Sequence, residues 1–531
     1  MVTTGIDAEA GAAKEEIPHD HLFKVTGLSS TNLEKLAQEP PSDFEETIAA
    51  TGYGKFNICL MLCTLPAFWS SVAVTSSVSY IFTRAQCDMD LTLLGMGTVA
   101  SMTYGGMITS AMMWGFLSDT LGRKRIMVWG FFATGLVEIV AALSQNFAML
   151  LVMRFASGFL FNGPFAVLIS YLAEMHRTQL RARVILLSSL FYTFASISLP
   201  LLAWAILIHD WEFHLIQDYI VIHSWNVFLL ATGLVPIFTG LIFLCLPESP
   251  KFLMSRGRNE EAMLVFRKIY ALNSGKPPEE FPVKCLIEER NEEQGRGLAA
   301  LRGGVAQLTP LFRPPHVQWL VLVCLIHSGA MFGSNTLRLW YPQLAAMIGT
   351  GPGASLCAAV APSPSPAPLV GAPAPCEPLH TDMLTYLQSS AAGAGSVLTY
   401  AIGSALINRC GKKLVAGFCG VASAVTILLL PWLGEGALAV VGMVTTALAF
   451  TALYSASLSS IAVELFPTSL RVMAMATFLM CGRLGTISGT VAFPALMQYG
   501  CYPPFVTIGA VLCTCGIMCC LLPNTTLKKL E

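Results

Sequence analysis

The sequence predicts an all-α membrane protein: twelve transmembrane helices in two pseudo-symmetric six-helix halves. Three observations carry that expectation. First, only 12% of the 531 residues are charged and 54% are hydrophobic, where an ordinary soluble protein has about 25% charged. Mean hydropathy is +0.63, so the chain has too little polar surface to face water on all sides. Second, the apolar residues fall into twelve long blocks. Third, the second half of the chain repeats features of the first.

A bilayer core of about 30 Å takes roughly 20 apolar residues of helix. Blocks that meet this length lie at 56–82, 91–117, 126–143, 148–174, 184–208, 224–246, 316–340, 383–407, 414–432, 436–463, 472–494 and 501–522. Lys and Arg set the orientation. With the N-terminus inside, 27 of the 31 Lys+Arg fall on the cytoplasmic side, Arg84 and, at a helix end, Arg338 fall outside, and Arg154 and Arg483 lie within spans. Both termini are therefore expected in the cytoplasm. The division is a cytoplasmic tail (1–50), a first half (51–250), a cytoplasmic loop (251–315), a second half (316–522) and a cytoplasmic tail (523–531).

Arg258 to Asn273 in the central loop has apolar residues at helical spacing among charged ones. It reads as a short amphipathic helix, with a charged linker as the alternative. The segment 349–381, rich in Ala, Pro, Gly and Ser, reads as a flexible outer loop. Its Cys357 and Cys376 face an oxidising side and are candidates for a disulfide with each other. The first fifty residues have no apolar core, so no cleavable signal is expected. The sequon at Asn524 falls in the cytoplasmic tail.

The repeat is visible at four positions. SDTLGRKR (118–125) is echoed by INRCGKK (407–413), and YLAEMHRTQLRAR (171–183) by IAVELFPTSLRVM (461–473). Asp119, Gly122, Glu174 and Arg181 thus correspond to Asn408, Gly411, Glu464 and Arg471, at nearly one offset. Such repeats are the build of a carrier that rocks around a central site.

These residues carry a family resemblance over about Phe44 to Leu522. Gly115-x-x-x-Asp119-x-x-Gly122-Arg123-Lys124 resembles the signature loop of the major facilitator superfamily, and Arg154-x-x-x-Gly158 resembles its fourth-helix motif. PESPKFL (247–253) resembles the motif shared by sugar porters and organic ion transporters. FEETIAATGYGKF (44–56), Cys87-Asp88 and AEMHRTQLRAR are similar to the synaptic vesicle glycoprotein 2 and synaptic vesicle-related group. Organic ion transporters resemble the chain nearly as well, but they carry a long first outer loop, here only 83–90. Sugar porters carry paired glutamines in helix 7, where this chain reads IHSGAMFGSN (326–335). The group's usual acidic residue in helix 1 is missing from AFWSSVAV (67–74).

The resemblance implies the major facilitator fold and a cytoplasmic gate of ion pairs drawn from Gly115, Asp119, Gly122, Arg123, Lys124, Glu174, Arg181, Glu464 and Arg471. It implies a structural role for Arg154, and Glu138 reads as structural or interfacial. Ionisable groups inside spans are costly and need a partner. Arg483 and His327 lie near mid-membrane in spans that border the superfamily's central cavity. Organic anion transporters carry an arginine in the corresponding helix, which favours an anionic substrate. A packing role is the alternative for each. Trp69, Tyr192, Asn335, Tyr400 and Tyr454 are candidate cavity-wall contacts.

The expected function is secondary active or facilitative transport of a small organic ion, with a coupling ion as a further partner. The rival is a non-transporting vesicle scaffold or regulator. No GxSxG, HExxH or phosphate-binding loop points to an enzyme or an ATP-driven pump. No metal or cofactor motif is present. The net charge of −1 gives nucleic acid no electrostatic basis. The expected location is the plasma membrane or an intracellular vesicle membrane.

Overall fold

The computed structural model describes residues 41–216, 220–287, 309–348, 356–357, 383–434 and 436–523. These described residues hold twelve long helices: α1 (Lys55–Asp88), α2 (Leu93–Leu121), α3 (Arg123–Ala142), α4 (Phe147–Glu174), α5 (Thr178–Leu207), α6 (Ser224–Leu244), α7 (His316–Ile348), α8 (Met383–Cys410), α9 (Lys412–Leu433), α10 (Gly436–Leu465), α11 (Thr468–Met497) and α12 (Tyr502–Met518). Among the described residues, nine are long and apolar enough to cross a membrane by composition alone.

Local chemistry sets the boundaries. Thr92 and Asn146 accept from the Gly95 and Met149 amides, at 3.1 and 2.8 Å, and so cap α2 and α4. Gly122 and Gly411 stand at φ +95° and +83° between α2 and α3 and between α8 and α9. That left-handed backbone suits glycine and turns the chain sharply into the next span. The repeat in sequence is thus a repeat of turn geometry.

The helices pack with the same symmetry. In the first half α1 pairs with α5, α2 with α4 and α3 with α6; in the second, α7 pairs with α11, α8 with α10 and α9 with α12. The halves meet through α2 against α11, α5 against α8, and α1 against α7. Gly158 permits one of the tightest crossings, because a Cβ there would fall 1.8 Å from the Thr103 carbonyl on α2.

Two features outside the bundle distinguish its ends. At one end the strands β1 (Glu212–Ile216) and β2 (Ile220–His223) form an antiparallel hairpin between α5 and α6. The apolar blocks gave no sign of it. At the other end lie the short helices Phe44–Ala50 and Pro250–Ser255 and the linker helix Asn259–Ser274. These ends are termed the hairpin face and the linker face.

The linker helix matches the amphipathic segment expected at 258–273. Its buried Ala262, Met263, Phe266 and Ile269 follow helical spacing, and all but Ile269 pack with Phe44, Ile48, Leu253 and Met254. Asn273 ties this cap to the bundle: its Oδ1 accepts from the Phe56 amide at 3.0 Å, and its Nδ2 donates to Thr51 O and Asn57 Oδ1 at 3.2 and 2.9 Å.

Three expectations are corrected or bounded. Cys357 is bonded to Cys501, with their Cα atoms 5.3 Å apart, and not to Cys376. Cys501 opens α12, so the bridge pins the loop after α7 to the hairpin end of the second half. Cys87 is disulfide-bonded as well. Arg338 does not end its helix, because α7 runs on to Ile348. Cys376 and Asn524 lie outside the described residues, as do the side chains of Asp119, Asn408 and Tyr400.

Candidate functional site

The interior between the halves is built around two arginines of the second half. Arg338 on α7 donates from Nη1 to the Tyr192 hydroxyl on α5 at 2.6 Å, and its guanidinium lies 5.9 Å from the Tyr192 ring centre. Tyr104 on α2 and Tyr80 on α1 are electrostatic neighbours of the same guanidinium. Its Nε is buried without a partner among the described residues. Arg483 on α11 makes one long bond, Nη1 to the Met107 carbonyl of α2 at 3.4 Å, and Tyr104 is its neighbour too. Among the described residues neither guanidinium has a carboxylate at ion-pair distance.

These contacts belong to a larger closure on the hairpin side. Tyr80 stacks on Tyr386 of α8 at 6.4 Å, Phe82 packs on Trp340 at 6.2 Å, and the Ser390 hydroxyl donates to the Ile197 carbonyl at 3.0 Å. Trp340 Nε1 donates to the Thr490 carbonyl at 3.3 Å, and a Cβ on Gly97 would fall 2.7 Å from that same oxygen. All of these residues lie from mid-bundle to the hairpin face. Toward the linker face, α4 and α10 make no comparable contact among the described residues. Among the described residues, the side-chain contacts that join the halves thus lie from mid-bundle to the hairpin side. In the joined region the Tyr341 hydroxyl, both polar atoms of Gln343, Gln388 Nε2 and Trp204 Nε1 are buried without partners among the described residues.

The other candidates for substrate contact are held by neighbours of their own half. His327 is 5% exposed and stacks on Phe478 of α11 at 3.8 Å, within its own half. Asn335 donates to Thr486 at 2.8 Å, also joining α7 to α11. Tyr454 is fully buried with Cys519 and Gly420, among α9, α10 and α12. Trp69 donates to Ser198 at 2.9 Å, tying α1 to α5. The structure therefore brings Tyr192 and Arg483 to the interface between the halves and buries His327 and Tyr454 inside the second half, while half-buried Trp69 and Asn335 stand on α1 and α7, two of the helices between the halves. Sequence reasoning missed Arg338, Tyr80 and Tyr104. The signal available was a second arginine next to an apolar block with no acid nearby.

On the linker face the first half closes a network of its own. Arg123 pairs with Glu174 at 3.4 Å, donates to the Ser118 carbonyl at 2.8 Å and lies over the Phe252 ring at 5.3 Å. Glu174 also accepts from the Ser249 hydroxyl. Glu248 sits at the start of α3, where its Oε1 accepts from the Lys124 and Ser249 amides at 3.0 and 2.9 Å. A carboxylate there satisfies free amides and complements the helix dipole. Arg181 pairs with Glu45 at 2.7 Å and donates from Nε to the Ala173 and His176 carbonyls. Burial pushes the Glu45 carboxyl up, but Thr178, Arg181 and Lys251 together outweigh it and hold it below the usual value. Burial lowers the His176 imidazole, with Arg181 adding to the shift and the Leu172 carbonyl opposing it. In the second half Lys412 pairs with Glu464, while Arg471 Nε is buried without a partner among the described residues. Gly115 faces open space. Each of these pairs joins residues of one half or its flanking segments.

Gly122 gives this network a direct test. An added Cβ would fall 2.6 Å from Glu248 Oε2 and 3.0 Å from Phe252, whereas Gly411 has nothing within 4 Å. Gly411→Ala should cost only the left-handed strain of about 1–2 kcal/mol. Gly122→Ala should cost that strain and also displace Glu248, so it should lower the melting temperature of purified protein further. Equal losses would mean that Glu248 is not held by this turn.

Deeper in the first half, Arg154 and Glu138 form an ion pair at 2.7 Å with side chains 0% and 3% exposed. Arg154 also donates to Ser77 at 2.9 Å, and the Ser157 hydroxyl donates to Glu138. The cluster joins α1, α3 and α4.

The sequence pattern of the Major Facilitator Superfamily matches residues 59–375 and 377–530. The chain belongs to the Major Facilitator Superfamily. Among superfamily structures, the inward-open xylose transporter XylE from E. coli aligns with a TM-score of 0.64 at 13% identity, covering 89% of this chain and 98% of that one. A point mutant of the nucleoside transporter NupG aligns at 0.57 and 12%, covering 89% and 100%. By sequence the chain is 25% identical to mouse synaptic vesicle glycoprotein 2C over 339 residues, 59% of this chain and 45% of the relative. It is 26% identical to human synaptic vesicle glycoprotein 2A over 338 residues, 60% and 45%. The matched region spans a little under half the length of these curated relatives. The superfamily fold places α1, α2, α5, α7, α8 and α11 between the halves here, and they carry the arginines and tyrosines described above.

Proposed function

We propose that this superfamily member carries a small organic anion across a membrane by alternating access, with the linker face and both termini in the cytoplasm. The observation that carries the reading is the charge of the interior. Arg338 and Arg483 lie between the halves among tyrosine hydroxyls and backbone carbonyls, with no acid beside them among the described residues. A buried charge without a counter-charge costs several kcal/mol. An anion supplies it, a cation worsens the imbalance, and a neutral sugar leaves it. Alternation is supported by the unsatisfied groups of Tyr341, Gln343, Gln388 and Trp204. Each costs about 1–3 kcal/mol while dry. Parting of the halves on the hairpin side would hydrate them, so their cost falls in the opposite state. The linker-face ion pairs then brace each half in the state open toward the cytoplasm.

The test is uptake by purified protein in liposomes from a mixed pool of organic anions, cations and neutral solutes, read by mass spectrometry. Anions should accumulate inside above protein-free liposomes. Uptake confined to cations or neutral solutes overturns the anion reading, and no uptake of any solute favours a scaffold. For orientation, exposed Cys285 should be spared by a membrane-impermeant thiol reagent on intact cells and labelled once they are permeabilised. Labelling in intact cells would reverse the topology.

A further inference from the structure

We infer that the solute carries two separate anionic groups, one held by Arg338 and the other by Arg483. The inference rests on the anion reading above and goes beyond it by counting charges. Both guanidiniums belong to the second half, on α7 and α11, and both reach across to the first half, to Tyr192 and to the Met107 carbonyl. Their partners from the first half are weak acceptors: the Tyr192 phenol for Arg338 and the Met107 carbonyl at 3.4 Å for Arg483. A carboxylate accepts from a guanidinium through two parallel bonds and displaces such partners. A monoanion would satisfy one arginine and leave the other as an uncompensated interior charge, the costly arrangement. A solute with a carboxylate at each end neutralises both. The second half thus supplies the charge and the first half supplies neutral donors that close over it.

The probes are unbranched dicarboxylates of four to eight carbons, their monomethyl esters and the matching monocarboxylates, titrated onto purified full-length protein by calorimetry. At least one chain length should bind on the order of 100-fold more tightly than its own monomethyl ester, the effect of one lost charge-assisted fork. Arg338→Gln and Arg483→Gln should each bring that dicarboxylate down to about the level at which its ester binds wild-type protein. Arg338→Lys and Arg483→Lys, which keep the charge, should retain part of the preference. An ester that binds wild-type protein as well as its parent diacid overturns the dianion inference and leaves the anion reading standing. Folded protein that binds none of the carboxylates overturns both. The comparison on wild-type protein needs no variant to fold.

Discussion

Replacing Arg338 with glutamine should lower the affinity for a transported anion on the order of 100-fold, about 3 kcal/mol, while the protein still reaches the membrane. The expectation follows from the place of Arg338. It is anchored by the Tyr192 hydroxyl at 2.6 Å, and its helix is packed against α11. The glutamine can still donate to the Tyr192 hydroxyl but cannot supply a charge. Arg338→Lys keeps the charge and loses the planar fork, so it should fall between the two, about tenfold below wild type. Tyr192→Phe removes one hydrogen bond and should cost about 1 kcal/mol. If Arg338 were only a strut between α7 and α5, the order would differ: Tyr192→Phe and Arg338→Gln would destabilise alike, and anion affinity would hold. Binding measured beside melting temperature on the same three variants decides between the two.

The second large effect is on folding. Glu138→Gln should destabilise the first half by about 3–5 kcal/mol, because it leaves the Arg154 charge buried with no counter-charge. The pair is almost wholly shielded, and Ser77 and Ser157 add hydrogen bonds to it. The double variant Glu138→Gln with Arg154→Gln should recover much of the loss, since no net charge remains to bury. A double variant as unstable as the single ones added together would mean that the two groups act independently. Neither carboxylate nor guanidinium faces the interface between the halves, so anion affinity of the folded fraction should be unchanged.

Much of this architecture is legible in the residues because lipid makes it so. Backbone groups in a bilayer must be satisfied within the segment, so long apolar blocks become helices. The 289-residue offset between Gly122 and Gly411 marks the repeat because both turns require left-handed backbone. What escapes the sequence is decided by which way side chains face. A charge followed by Trp340, Tyr341 and Pro342 resembles a membrane edge, so the pattern ends the seventh span near Arg338. The helix instead continues to Ile348, and the charge is tolerated because it faces the other half. His327 and Tyr454 look alike to a hydropathy pattern but are packed against Phe478 and Cys519. Proximity in sequence points Cys357 to the wrong partner, because Cys501 is 144 residues away. The hairpin β1–β2 leaves no trace because its strands are short and mixed in polarity.

The account stands on the halves separating on the hairpin side around an anion site. The most direct test is the distribution of distances between spin labels at Leu94 and Tyr499, exposed positions near that face in the two halves, measured in lipid with and without added solute. The account predicts a short and a long distance, with a ratio that shifts when an organic anion is added and holds when a cation of the same size replaces it. A single distance that no solute changes, or an equal shift with the cation, would contradict it.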